Sequence, residues 1–154
     1  MTTAPSDDSA DGSDSSSPPS STVQLPTRLS LRVLVVDDLV DAAESLAILL
    51  RKLGYDVRTA HDGFAALQTA ADFYPQAILL DLAMPRLNGF HVAKQLRERD
   101  DTQLACLIAI SGYGQAADVE SAKNAGFDYH LIKPVSVHVV DSILQAIRRL
   151  HCSG

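Results

Sequence analysis

A doubly wound α/β fold, with five parallel strands and helices on both faces, is the class this sequence predicts. Short apolar runs at Arg32–Val36, Asp56–Ala60, Ala77–Leu80, Leu104–Ile110 and Tyr129–Ile132 alternate with stretches of helical periodicity. That alternation implies parallel strands joined by helical crossovers. The run Leu34-Val35-Val36 is continuously apolar, as in a strand buried on both faces. A length of 154 residues with 46% hydrophobic content suits one domain with a proper core.

The elements follow in order. Residues 1–29 are rich in Ser, Asp, Thr and Pro, as in SADGSDSSSPPSSTV. Such a segment cannot bury enough apolar area to offset its ordering entropy, so a disordered tail is predicted. The folded domain is expected over 30–151. The first helix carries Leu46, Leu49, Leu50 and Leu53 on one face, with Ala42 one turn earlier. Phe64, Leu67, Ala71 and Tyr74 do the same in the second helix, and Val140, Ile143, Leu144 and Ile147 in the last. These spacings predict the core-facing stripes. Gly54 and Gly126 fall just past helical stretches, where a glycine after the helix end is expected.

Composition excludes several classes. A net charge of −6 speaks against a nucleic-acid surface. No apolar run approaches the roughly 18 residues of a membrane span. No basic and apolar leader opens the chain. Two cysteines, Cys106 and Cys152, do not suggest a disulfide framework, and Cys106 reads as a core thiol. These features lead to the expectation of a cytoplasmic protein. His61, His91, His138 and His151 fall on separate elements and are expected to face solvent rather than to form a metal cluster.

In a doubly wound sheet the ligand sits beyond the carboxyl ends of the strands. The first strand ends in Asp37-Asp38, the third in Asp81, the fourth in Ser111-Gly112 and the fifth in Lys133-Pro134. Two adjacent carboxylates about 4 Å apart repel by roughly 4 kcal/mol at an effective dielectric of 20. A hard divalent cation would offset that cost, and Mg²⁺ prefers such oxygen ligands, usually with a phosphate and several waters. Lys133 would supply further positive charge, pairing with Asp81 or with a phosphoryl oxygen. Alone, Asp37-Asp38 reads equally well as a helix N-cap, and Asp41 could serve as that cap.

VLVVDD, LLDLAMPRLNGF, AISGYG and AGFDYHLIKPV, in that order, resemble the receiver domain of two-component response regulators (CheY-like). The resemblance covers roughly Leu31 to Leu150 and is closest to receivers of hybrid histidine kinases or stand-alone receivers. It implies a flavodoxin-like sheet of order 2-1-3-4-5 with five helices. It also implies a role for each matching position. Asp81 matches the phosphoacceptor, which takes a phosphoryl group from a phosphohistidine. Asp38 matches the direct acidic Mg²⁺ ligand, and Asp37 the neighbour that holds the ion through water. Ala83 matches the position lending a backbone carbonyl to the metal; Mn²⁺ can stand in for Mg²⁺. Ser111 and Lys133 match the hydroxyl and ammonium that bind the phosphoryl group, and Gly112 lets the backbone approach it. Pro134 matches a proline usually preceded by a cis bond, which X-Pro makes accessible at about 0.5–1 kcal/mol. His130 falls at the switch position, where Tyr or Phe is commoner, with Tyr129 as the neighbouring candidate. Ser111 and His130 would be the bistable elements.

The implied partners are a histidine kinase or a histidine phosphotransfer protein, with no direct nucleic acid contact and no membrane span. A homodimer through the fourth helix, fifth strand and fifth helix is a habit of the family. One helix follows Lys133, so no attached output domain is expected. The chain would act as a switch rather than as a turnover enzyme. Leu39, Ala83 and Tyr113 depart from the commoner residues around the phosphoryl group. A haloacid dehalogenase-type phosphatase would need a second Asp where Ala83 stands. A dinucleotide-binding domain would need a glycine-rich turn where Asp37-Asp38-Leu39 stands. A degenerate receiver that binds partners without phosphorylation is opposed by the intact Asp38, Asp81, Ser111 and Lys133.

Overall fold

The structure, a computed structural model, describes residues 30–82, 89–112 and 117–153. The predicted tail over 1–29 lies outside them, as do Ala83 and Tyr113. The elements alternate as β1 (Arg32–Val36), α1 (Val40–Lys52), β2 (Asp56–Ala60), α2 (Gly63–Phe73), β3 (Ala77–Asp81), α3 (Gly89–Glu98), β4 (Cys106–Ser111), α4 (Ala117–Ala125), β5 (Tyr129–Ile132) and α5 (Val137–Ser153). The strands form one parallel sheet in the order β2-β1-β3-β4-β5. This is the predicted doubly wound fold. Strand order reverses between β1 and β3, which opens the crevice in which such sheets bind ligands.

Alternating side chains divide each strand between the two faces. Leu34, Val36, Ile78, Leu80, Leu107 and Ala109 pack with α2, α3 and α4. Val33, Val35, Ala77, Leu79, Ile108 and Ile110 pack with α1 and α5. Every residue of β3, AILLD, is buried, which makes Asp81 an in-sheet carboxylate paired in register with Ile110.

The helix faces correct two expectations. In α1 the buried residues are Ala43, Ala47 and Leu50, whereas Leu49 and Leu53 are exposed and Leu46 is only partly buried. In α2 the buried set is Gly63, Ala66, Ala70 and Phe73, whereas Phe64 and Tyr74 are exposed. Both helices lay small residues against the sheet, because small side chains allow close approach of the two backbones. Of the stripes predicted from size in these two helices, Leu50 alone is buried, and their other members flank the small residues. The stripe predicted for α5 is correct: Val140, Leu144 and Ile147 are buried and Ile143 packs beside them. Strand β4 starts at Cys106 rather than at Leu104, which is 90% exposed.

Helix ends follow local chemistry. Gly54 and Gly126 take φ values of 102° and 104°, the left-handed region that favours glycine. The Asp62 carboxylate caps α2 by accepting from Ala65 N–H at 2.7 Å. Neither Asp41 nor Asp38 caps α1: its N-cap is Leu39, without a side-chain cap bond. The acidic pair is therefore left for other work.

Candidate functional site

The carboxyl ends of four strands, β1, β3, β4 and β5, meet at the site. Asp37, Asp38 and Asp81 each offer a carboxylate oxygen, all lying within 4.8 Å of one another. Asp38 is exposed, Asp37 half-buried and Asp81 buried. The Lys133 ammonium donates to Asp81 Oδ2 at 3.1 Å, with the lysine side chain 38% exposed and the aspartate 3%. The ammonium thus pairs with the buried member of the acidic cluster while it remains within reach of solvent.

The electrostatics show both the cost of the cluster and its compensation. Burial holds the Asp37 carboxyl above its ordinary value, reinforced by the neighbouring Asp81 and opposed by the Leu39 N–H and by Lys133. Burial alone would lower the Lys133 ammonium. The hydrogen bond and charge of Asp81, with the charges of Asp37 and Asp38, outweigh burial and hold it above the usual lysine value. One ammonium facing three carboxylates leaves the site with net negative charge, and a divalent cation would neutralise it. The donor set, three hard oxygen groups and no sulfur or imidazole, fits Mg²⁺.

Local structure fixes each group. Asp37 N–H donates to Ala60 O at 3.1 Å, extending the β1–β2 pairing by one step, and Asp37 Oδ1 accepts from Leu39 N–H at 3.0 Å. Leu82 N–H donates to Ile110 O, which carries the pairing past Asp81. Gly89 opens α3 against this strand end. A Cβ there would lie 2.9 Å from Leu82 Cδ2, 3.0 Å from Leu82 Cα and 3.2 Å from Asp81 O, so a larger residue would force this strand end to shift. Lys133 N–H donates to Ser111 O at 2.9 Å, and the following Lys133–Pro134 bond is cis. Ser111 is buried, and its hydroxyl lies 2.7 Å from His130 Nε2. Tyr129 is exposed, so it is His130 that the strand turns toward Ser111. Gly112 follows Ser111 at the strand end, half-buried.

His61 corrects the sequence expectation. Its side chain is partly buried, with Nδ1 3.1 Å from the Asp37 carbonyl oxygen and Nε2 3.9 Å from Glu44 Oε2. No periodicity or motif could have revealed a contact between a side chain and a main-chain carbonyl on a neighbouring strand. His91 and His138 are exposed, as expected. Beside the site, Leu39, Leu46, Leu49, Val135 and Val137 line a groove of about 740 Å³ whose rim includes Asp37 and Lys133. Among the described residues, no helix is long and apolar enough to cross a membrane.

Comparison with known proteins agrees with this geometry. The response regulator receiver domain pattern matches residues 33–148. Response regulator MprA of Mycobacterium ulcerans is 36% identical over 121 residues, covering 79% of this chain and 51% of its own. Transcriptional regulatory protein PrrA of Mycobacterium tuberculosis is 40% identical over 121 residues, covering 78% and 51%. The chain thus spans about half the length of these curated relatives. A response regulator of Chloroflexus aurantiacus superposes with a TM-score of 0.73 at 28% identity, covering 78% of this chain and 98% of that one. The receiver domain of sensor histidine kinase PA1611 from Pseudomonas aeruginosa, solved with a magnesium ion in its active-site cleft, gives 0.70 at 28%, covering 77% and 98%. With the strand order, the acidic cluster and the paired lysine all in agreement, this chain belongs to the response regulator receiver domain family of two-component signalling.

Proposed function

We propose that the chain accepts a phosphoryl group on Asp81 from a phosphohistidine of a histidine kinase or histidine phosphotransfer protein. The observation that carries this is the buried Asp81 carboxylate, held by Lys133 at 3.1 Å inside a cluster of three acids. Asp37, Asp38 and Asp81, with the Ala83 carbonyl, would hold Mg²⁺ or Mn²⁺. The ion would neutralise phosphoryl oxygens and allow a carboxylate to approach an anionic phosphorus.

The remaining chemistry belongs to this chain. An Asp81 Oδ attacks phosphorus in line. The P–N bond breaks, its electron pair stays on the donor imidazole, and an acyl phosphate forms on Asp81. Lys133 shifts from the carboxylate to a phosphoryl oxygen, and the Ser111 hydroxyl and Gly112 N–H donate hydrogen bonds to others. Ser111 then draws on His130, which couples the site to the face of α4, β5 and α5. A shift in that face would change partner affinity, including self-association, by moving a pre-existing equilibrium. The chain is then a switch working in the cytoplasm, not a turnover enzyme, with output through bound proteins rather than direct nucleic-acid contact.

The test is intact mass after incubation with acetyl phosphate, with and without Mg²⁺, on wild type and Asp81→Asn. The expected result is a Mg²⁺-dependent gain of one phosphoryl group in wild type only. No gain from acetyl phosphate or from a phosphohistidine donor, with the fold intact, would leave the phosphorylation-independent interaction module standing instead.

A further inference from the structure

Register pairing between β1 and β2 ends at Val36 opposite Ala60. One more main-chain bond follows, from Asp37 N–H to Ala60 O. Beyond it the backbone of β1 diverges into the loop that carries Asp37 and Asp38. The Asp37 carbonyl is there received by a side chain, with His61 Nδ1 3.1 Å away. A carbonyl only accepts, so Nδ1 must carry the proton. On the other edge of the ring, Nε2 faces Glu44 Oε2 at 3.9 Å, and that same oxygen accepts from the Thr59 hydroxyl at 2.7 Å. Thr59 and His61 of the β2 end thus grip Glu44 of α1 and the main chain of Asp37 together.

The consequence falls on the acidic cluster. With its N–H on Ala60 O, its carbonyl on His61 and its carboxylate on Leu39 N–H, the Asp37 residue is held at three points. Three carboxylates within 4.8 Å repel one another and would tend to open this loop. A strut between β2 and the loop opposes that opening before any cation arrives. We propose that His61 is a positioning residue for the metal site: its Nδ1–H bond to the Asp37 carbonyl preorganises the Asp37–Asp38 loop and thereby raises affinity for a divalent cation. The inference rests on the metal-binding part of the proposed function. His61 lies outside the ligand set and acts through Asp37.

Groups that hold metal ligands in place typically change affinity by about 10–100-fold. The test is titration with Mn²⁺ alone, read by the electron paramagnetic resonance signal of the free ion, alongside thermal unfolding without metal. The proteins are wild type, His61→Ala, His61→Asn, His61→Gln and Asp38→Asn. The side-chain amide of Asn places an N–H close to where Nδ1–H stands, whereas that of Gln reaches further. The expected result is an affinity loss of about 10-fold for Ala and Gln, with substantial recovery for Asn. Unchanged affinity in His61→Ala, with wild type binding Mn²⁺ and Asp38→Asn not, would overturn the inference and leave the metal site intact. Equal weakening by Ala, Asn and Gln, in step with their loss of thermal stability, would reduce His61 to packing and also overturn it. Absence of Mn²⁺ binding in wild type would overturn the metal-site reading itself.

Discussion

The Ser111 hydroxyl and the His130 imidazole meet at 2.7 Å, joining β4 to β5 beside the acidic cluster. Ser111 is 1% exposed, so its hydroxyl cannot turn to bulk water if that partner is removed. A buried polar group left without a partner costs about 1–3 kcal/mol, more than the net worth of the bond. Ser111→Ala and His130→Ala should therefore each destabilise the fold, and the double variant should cost less than their sum. We expect a coupling of about 1 kcal/mol in urea denaturation. Additive effects would mean that the contact contributes nothing to the unphosphorylated state. The switch would then need a different linkage.

Asp37 contributes a pH dependence to the stability of the metal-free protein. Burial, with Asp81 beside it, raises its folded-state pKa above the unfolded value. The folded state then binds more protons than the unfolded one across that interval, so stability falls as pH rises through it. The penalty is complete only above the folded-state value, and below the unfolded carboxylate range it is gone. Asp37→Asn should weaken this dependence and raise the melting temperature without metal. The sign should reverse in saturating Mg²⁺, because the variant binds the ion less well. A melting temperature lowered by the substitution in both conditions would show that Asp37 supports the loop through its Leu39 contact instead.

The strand ends were legible because a parallel sheet gathers its carboxyl termini at one edge. Asp37, Asp38, Asp81, Ser111 and Lys133 are read there from apolar runs alone, and the sheet brings Lys133 onto Asp81. The facing of α5 was legible too, since its large residues are the buried ones. In α1 and α2 the rule misleads, because Ala43, Ala47, Ala66 and Ala70 meet the sheet and the larger Leu49 and Phe64 do not. Apolar size measures what burial would gain, not how closely two backbones must approach. His61 and Arg97 escaped for another reason. Both act on main-chain carbonyls distant in sequence, and such contacts leave no periodic trace.

Cys106 should be chemically silent in the native state. Burial, together with the negative charge of Asp128 and against the pull of Arg97, pushes its thiol up to about 12. The thiolate is the reactive form, and at pH 8 only on the order of 0.01% would be present. In a Cys152→Ser background, reaction with a disulfide reagent at pH 8 should be at least about 100-fold slower in the folded protein than in denaturant. Fast native labelling would place the thiol in a far more exposed or more positive setting than the start of β4.

Arg97, at the C-terminal end of α3, is the polar anchor of the opposite edge of the sheet. Its guanidinium donates to Gly126 O from Nε at 3.0 Å and from Nη2 at 2.7 Å. It also reaches Gln103 O and Ala105 O at 2.7 Å each, and Asp128 Oδ2 at 2.8 Å. Asp128 Oδ2 in turn accepts from Leu107 N–H at 3.0 Å, so one planar fork ties the turn before β4 to the turn before β5. Gly126 is part of the same device: a Cβ there would lie 3.0 Å from Arg97 Cγ. Removing the guanidinium strips several carbonyls of their donors at once. Arg97→Ala should cost about 3 kcal/mol, at the upper end for a single substitution. Arg97→Lys should recover less than half, because an ammonium keeps the charge but cannot present the fork. Mn²⁺ affinity should stay unchanged in both, since the acidic cluster stands at the other end of the strands. Full recovery by lysine in denaturant titrations would show that charge opposite Asp128 matters more than the carbonyl bonds. A weakened metal site would show that the two ends of the sheet are coupled through its core.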